Sequence, residues 1–181
     1  MKSEKKKQKP KTRITIESWL ARALTLAKTK NSVSWRTDCV LFNSETQELV
    51  ATNGHCMLIV KTKPGGTIVP FDLEPGLYDI LDDVLLKREV EQGKEIKFPE
   101  YQSIIVESDA RCSHNILYGI IICMIKQGMF VDIWKYENIL KVLNKFSSDW
   151  IFTNVNENRP MMMEADTSRY NVKYIMMPTP M

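Results

Sequence analysis

The stretch Leu49-Val50-Ala51-Thr52-Asn53-Gly54-His55-Cys56-Met57-Leu58-Ile59-Val60 decides the fold. Two apolar runs, Leu49–Ala51 and Met57–Val60, stand on either side of Asn53-Gly54. That dipeptide favours the left-handed backbone of a tight turn, so the stretch reads as strand, turn, strand. Another strand-like run, Val40–Phe42, precedes it across the polar turn Asn43-Ser44-Glu45-Thr46. Further upstream Ile14 and Ile16 alternate as in a strand. Between about Ser18 and Lys28, Leu20, Ala23, Leu24 and Ala27 fall at i, i+3, i+4 and i+7. That spacing predicts one apolar helical stripe, with Ser18, Arg22, Thr25 and Thr29 opposite.

The C-terminal third follows the same order. Met129-Phe130-Val131 reads as a strand and Asp132 as a helix cap. A helix over about Trp134–Phe146 carries Tyr136, Ile139, Leu140, Leu143 and Phe146 on one side and Lys135, Asn138, Lys141 and Lys145 on the other. Strands are expected at Trp150–Phe152, Pro160–Met163 and Tyr174–Met177. The repeat is one of element order, without sequence identity. It predicts an α+β fold in which two strand-helix-strands halves pair, with their helices packed on antiparallel sheets. Residues 14–181 would then form a single domain, with an irregular middle segment at about 64–127. In that segment Leu81–Glu91 reads equally as a short helix or a hairpin. Ile96–Tyr101 reads as the end of a strand, and Ile116–Ile125 as one long buried strand or a pair broken at Gly119.

Composition narrows the function. The 181 residues are 44% hydrophobic, enough for a sizeable core. The longest apolar run, Ile120–Ile125, is too short to span a bilayer, so no membrane partner is expected. Residues 1–13 hold seven cations against Glu4, a net +6, so with the chain at +3 the remainder is net −3. The tail is expected to be disordered and basic, on a slightly acidic body. Cys39, Cys56, Cys112 and Cys123 lack C-x-x-C spacing, and His55 and His114 are the only histidines. Idle thiols in a reducing cytoplasm are the expectation, with no structural metal and no cofactor. No nucleophile elbow, zinc-protease helix, phosphate loop or dinucleotide fingerprint occurs. Asp79, Asp82 and Asp83, with Glu89 and Glu91 nearby, admit a metal-dependent nuclease as a minor reading beside a solvated acidic turn. His55 lacks an identifiable orienting partner, so no catalytic residue is assigned.

Four segments resemble the bacterial sliding clamp, the beta subunit of DNA polymerase III. Ala51-Thr52-Asn53-Gly54-His55-Cys56-Met57 resembles the family's A-T-D-G-H-R-L. Tyr174-Ile175-Met176-Met177-Pro178-Thr179-Pro180-Met181 resembles its terminal Y-V-V-M-P-M-R-L and ends at the matching residue. Ile133–Phe146 is similar to the helix of the last clamp domain, and Phe98-Pro99-Glu100-Tyr101 to an F-P-D-Y element joining two domains. The resemblance implies a clamp-like domain, shorter than cellular clamps and like a phage or mobile-element member. It implies a non-enzymatic replication accessory that binds duplex DNA non-specifically through phosphates, facing it with Arg22, Lys28, Lys135, Lys141 and Lys145. It also implies a groove for peptides of DNA polymerase or other clamp-binding replication proteins. Thr52, Gly54, His55, Met57, Ile175, Met177, Pro178 and Met181 would form its wall. Cys56 stands where the family has Arg, and Thr179-Pro180-Met181 replaces M-R-L, both of which would alter partner preference. Subunits would close into a homo-oligomeric ring. The alternative is a clamp-derived monomeric module or decoy without DNA encirclement. In that case the 64–127 segment is expected to cover an exposed sheet edge.

Overall fold

The computed structural model describes residues 13–30, 36–64, 73–89, 98–105, 111–116, 119–121, 133–153 and 160–177. The first apolar stripe forms helix α1 (Ser18–Ala27), and Leu20, Ala23, Leu24 and Ala27 are all buried, with Ala21 beside them. Ser18, Arg22 and Thr25 are exposed. Glu17 at the N-cap gives no side-chain cap. Instead Asp83, far along the chain, accepts from the Ser18 hydroxyl at 2.6 Å and, through its carbonyl, from the Ile16 amide at 2.9 Å. A carboxylate thus sits at the positive end of the helix. The second stripe forms α2 (Ile133–Phe146), which buries Tyr136, Ile139, Leu140, Val142 and Leu143. Trp19 stacks on Phe146 at 4.3 Å and meets Tyr170 edge-on at 5.5 Å, so the start of α1 lies against the end of α2.

Among the described residues ten strands make one sheet: β1 (Arg13–Thr15), β2 (Val40–Asn43), β3 (Glu48–Thr52), β4 (Cys56–Thr62), β5 (Gly76–Leu81), β6 (Val84–Lys87), β7 (Arg111–His114), β8 (Trp150–Thr153), β9 (Met161–Asp166) and β10 (Tyr170–Met176). Their order is β1-β6-β5-β2-β3-β4-β10-β9-β8-β7. Every pairing is antiparallel. The halves meet at β4 and β10, joined from Tyr170↔Thr62 to Met176↔Cys56. On one side lie β3 and β2, on the other β9 and β8, so the expected repeat is visible as a spatial one.

The balance is more sheet-rich than the α+β expectation, because much of the middle segment folds into strands. Of Leu81–Glu91, the described residues include the turn and second strand of a hairpin of β5 and β6, turning through Asp82 at φ +52°. Asp tolerates that left-handed backbone better than most residues. Phe98–Tyr101 is not a strand; it leads into a single 3-10 turn at Gln102–Ile104. Ile116 and residues 119–121 are helical where a strand was expected, and the Gly119 amide donates to the Asn115 carbonyl at 2.9 Å. Glycine is needed there because a Cβ would drive into the Phe152 ring. The remainder of that segment, and the expected strand at 129–131 with its Asp132 cap, lie outside the described residues. So does the basic tail up to residue 12; Arg13, counted with it, opens β1.

Period-two alternation divides the side chains of the sheet. One face, with Leu49, Leu58, Val60, Phe152, Met163, Val172 and Tyr174, packs under α1 and α2. The other face holds a smaller apolar cluster of Val50, Met57, Ile59, Met162 and Ile175. Residues 98–105 cover it: Tyr101 is buried in the cluster, and Phe98, Ile104 and Ile105 pack against it. The Tyr101 hydroxyl donates to Glu48 Oε2 at 2.9 Å and accepts from Asn43 Nδ2 at 3.1 Å. The described parts of the middle segment thus lie on a face at residues 98–105 and extend the sheet through β5, β6 and β7.

Candidate partner-binding groove and helix face

The Asn53-Gly54 turn consumes its own polar groups. Asn53 Oδ1 accepts from the His55 and Cys56 amides, each at 2.9 Å. Thr52 Oγ1 donates to the Cys56 carbonyl at 2.7 Å and accepts from the Gly54 amide at 3.1 Å. Gly54 sits at φ +85°, where L side chains are strained. His55 is left exposed at the tip, while Thr52 is buried with its hydroxyl spent inside the turn.

The end of β10 reaches this turn. The Met177 amide donates to the His55 carbonyl at 2.9 Å, and the Tyr136 hydroxyl donates to the same oxygen at 3.3 Å. Gly54, His55 and Met177 thus share one exposed edge; Met177 is 38% exposed. Met57 pairs with Ile175 on the second face of the sheet, and both are buried in the cluster under residues 98–105. Pro178 and Met181 lie outside the described residues. Sequence reasoning did not assign Phe98, Tyr101, Ile104 and Ile105 to this region, although Phe98–Tyr101 had been noted as a motif. It also missed Tyr136, which on helical spacing reads only as core.

Cys56, read as a lost groove arginine, faces the core instead, since β4 alternation places it with Leu58 and Val60. Burial pushes its thiol above the ordinary range, against a weaker lowering contact from Tyr174. Cys39 is buried likewise, and burial pushes its thiol up to about 11.

The helix face is thinly positive. Arg22, Lys141 and Lys145 are exposed. Lys141 Nζ lies 2.6 Å from Glu137 Oε1, one turn back. Lys28 is half-buried, its ammonium donating to the Asp38 carbonyl at 3.1 Å. The Lys135 side chain lies outside the described residues. Two carboxylates of the acidic cluster are engaged structurally: Arg88 pairs with Asp79, and Asp83 accepts from the Ser18 hydroxyl at the start of α1. Glu91 falls outside the described residues. Among the described residues no group of three His, Cys, Asp or Glu side chains is arranged to hold a metal ion, and no helix is long and apolar enough to cross a membrane.

No protein-family model and no curated protein matches the chain. Solved structures do. The Helicobacter pylori beta clamp in complex with diflunisal superposes with a TM-score of 0.57 at 12% identity, over 98% of this chain and 69% of that one. The chain has a sliding-clamp fold. The Bacillus subtilis DNA polymerase sliding clamp agrees, with a TM-score of 0.56 at 14% identity over 100% and 68% of the two chains. So does the H. pylori beta clamp bound to a DNA ligase peptide, at 0.57 and 11% over 99% and 70%. Identity this low carries the architecture and leaves function to the residues.

Proposed function

We propose that this protein is a non-catalytic DNA-replication accessory of sliding-clamp type, a short phage- or mobile-element-like member of that family. It takes apolar-anchored peptides of replication proteins at the edge formed by Gly54, His55 and Met177. It meets duplex DNA through the helix face. The observation that carries the reading is the 2.9 Å bond from the Met177 amide to the His55 carbonyl. It unites, within a clamp fold, the two segments whose sequences resemble the clamp's peptide groove. Support comes from one solved clamp with this fold, which is bound to a DNA ligase peptide. The flexible, polarisable Met177 suits a groove that adapts to different anchors. Thr52 shapes the turn in this reading.

The experiment is fluorescence polarisation with a synthetic replication-partner peptide and, separately, with duplex DNA. Three phosphate contacts by Arg22, Lys141 and Lys145 would make DNA affinity fall about 40-fold between 50 and 200 mM salt. Their triple alanine variant should flatten that slope. A slope that instead disappears on deleting residues 1–12 assigns DNA binding to the tail.

A second reading, a monomeric interaction module without DNA encirclement, is favoured by the Lys141–Glu137 pair, whose opposite charges cancel within that turn. Mass in solution separates the readings: a closed homo-oligomer supports the ring, a monomer the module.

A further inference from the structure

Two donors from different parts of the chain converge on one main-chain oxygen. The His55 carbonyl accepts from the Met177 amide at 2.9 Å and from the Tyr136 hydroxyl at 3.3 Å. The hydrogen bonds inside the turn hold Thr52–Cys56 to one another and leave this carbonyl directed away from the turn. A carbonyl has two lone pairs, so it serves both donors without competition. Tyr136 is 5% exposed, and its ring meets Tyr174 edge-on at 6.5 Å, so the hydroxyl is presented from a packed position on α2.

We infer that Tyr136 is a positioning residue of the proposed partner-peptide groove, acting through the His55 carbonyl to set the Gly-His turn against Met177. The inference rests on the groove reading above. Tyr136 stands on the helix layer, under the opposite face of the sheet from Phe98–Ile105. It reaches the groove edge through a backbone atom, the His55 carbonyl. Its hydroxyl therefore governs how His55 and Met177 are presented, although it is buried away from any bound peptide. A hydroxyl-to-carbonyl bond of 3.3 Å is longer than the usual 2.7–2.8 Å, so its loss should loosen the register without unfolding the domain. A net hydrogen bond of ordinary size corresponds to a change of about two- to tenfold in an equilibrium constant.

The test uses the full chain and its Tyr136→Phe variant, which keeps the ring and removes the hydroxyl. Tyr170→Phe is the control, since the Tyr170 hydroxyl is buried with no hydrogen-bond partner among the described residues. Three quantities are measured: polarisation affinity for the synthetic peptide, hydrogen exchange at the Met177 amide, and thermal midpoint. The expected result is an about two- to threefold weaker peptide affinity, the low end of that range because the bond is long, and faster Met177 exchange for Tyr136→Phe. Its melting should stay near wild type, and Tyr170→Phe should bind as wild type does. Equal affinity and equal Met177 exchange in wild type and Tyr136→Phe overturn the inference and leave the groove reading standing. Equal losses in both variants overturn it too, because they report general loosening. A wild-type chain that takes no peptide removes the groove reading and the positioning role with it.

Discussion

Replacing Tyr101 tests whether residues 98–105 are a fixed part of the sheet. Tyr101 is 4% exposed, with its ring among Met57, Ile59, Met162 and Ile175. Its hydroxyl lies 2.9 Å from Glu48 Oε2 and 3.1 Å from Asn43 Nδ2. Tyr101→Phe removes both bonds and keeps the ring. A bond to a charged group contributes about 1.5–3 kcal/mol. Glu48 retains the Thr46 hydroxyl at 2.8 Å and is only half-buried, so the cost falls to about 1–2 kcal/mol. For a domain of this size that lowers the melting temperature by about 2–8 °C. Tyr101→Ala also empties an aromatic site, at about 3–5 kcal/mol. Urea melts followed by circular dichroism read both values. The reasoning fails if Tyr101→Ala costs no more than Tyr101→Phe, because the ring would then not be seated on the sheet.

Alkaline titration gives a signed prediction. Burial raises the thiols of Cys39, to about 11, and Cys56 above their ordinary value of 9.0. It is also the leading cause that raises the hydroxyls of Tyr78, Tyr101, Tyr170 and Tyr174. For each group the unfolded chain deprotonates first, so stability is whole below the unfolded value and falls as pH rises towards the folded one. Urea midpoints should hold to about pH 8.5 and then fall steeply, and neither cysteine should react with a thiol reagent in the folded chain at pH 8. Two glycines should separate by mechanism. Gly54→Ala meets nothing within 4 Å and adds only left-handed strain of about 1–2 kcal/mol, whereas Gly119→Ala strikes the Phe152 ring and should cost about 3 kcal/mol by thermal melting.

Both helices and the joint between the halves were legible because periodicity there agrees with burial. Leu20, Ala23, Leu24 and Ala27 form a stripe in sequence and are buried together. The strands around Asn53-Gly54 and Tyr174–Met177 likewise meet as β4 and β10. The β5–β6 turn was hidden because it contains no glycine and relies on Asp82 at φ +52°. Ile116–Ile125 looked like one buried strand or a pair broken at Gly119, because β-branched residues favour strands. Ile116 and residues 119–121 are helical instead, with Gly119 close enough to Phe152 to exclude a methyl group. Residues 98–105 carry no period; their apolar side chains are explained only by the sheet face they cover. At the candidate site, convergence of the two motifs was legible, but the fate of individual side chains was not. Thr52 and Cys56 were counted as groove features, whereas one is spent within the turn and the other faces the core.

Alternation along β4 and β10 bears on how the proposed groove can change. Cys56, Leu58, Val172, Tyr174 and Met176 hold the helix-covered core, while Met57, Ile59 and Ile175 belong to the opposite cluster. Neighbouring residues on the same strand therefore answer to different partners. A substitution at Met57 or Ile175 alters the surroundings of the groove through residues 98–105 and leaves the packing under α1 and α2 in place. A substitution at Cys56 or Tyr174 acts first on the core. Tyr136 is the exception, a helix-layer residue bonded to the groove edge through the His55 carbonyl. Peptide preference should consequently vary with Met57 and Ile175, and truncating either to alanine should also cost about 2–5 kcal/mol, because both are buried in the cluster under residues 98–105. Changes at Tyr174 should appear in stability before they appear in binding.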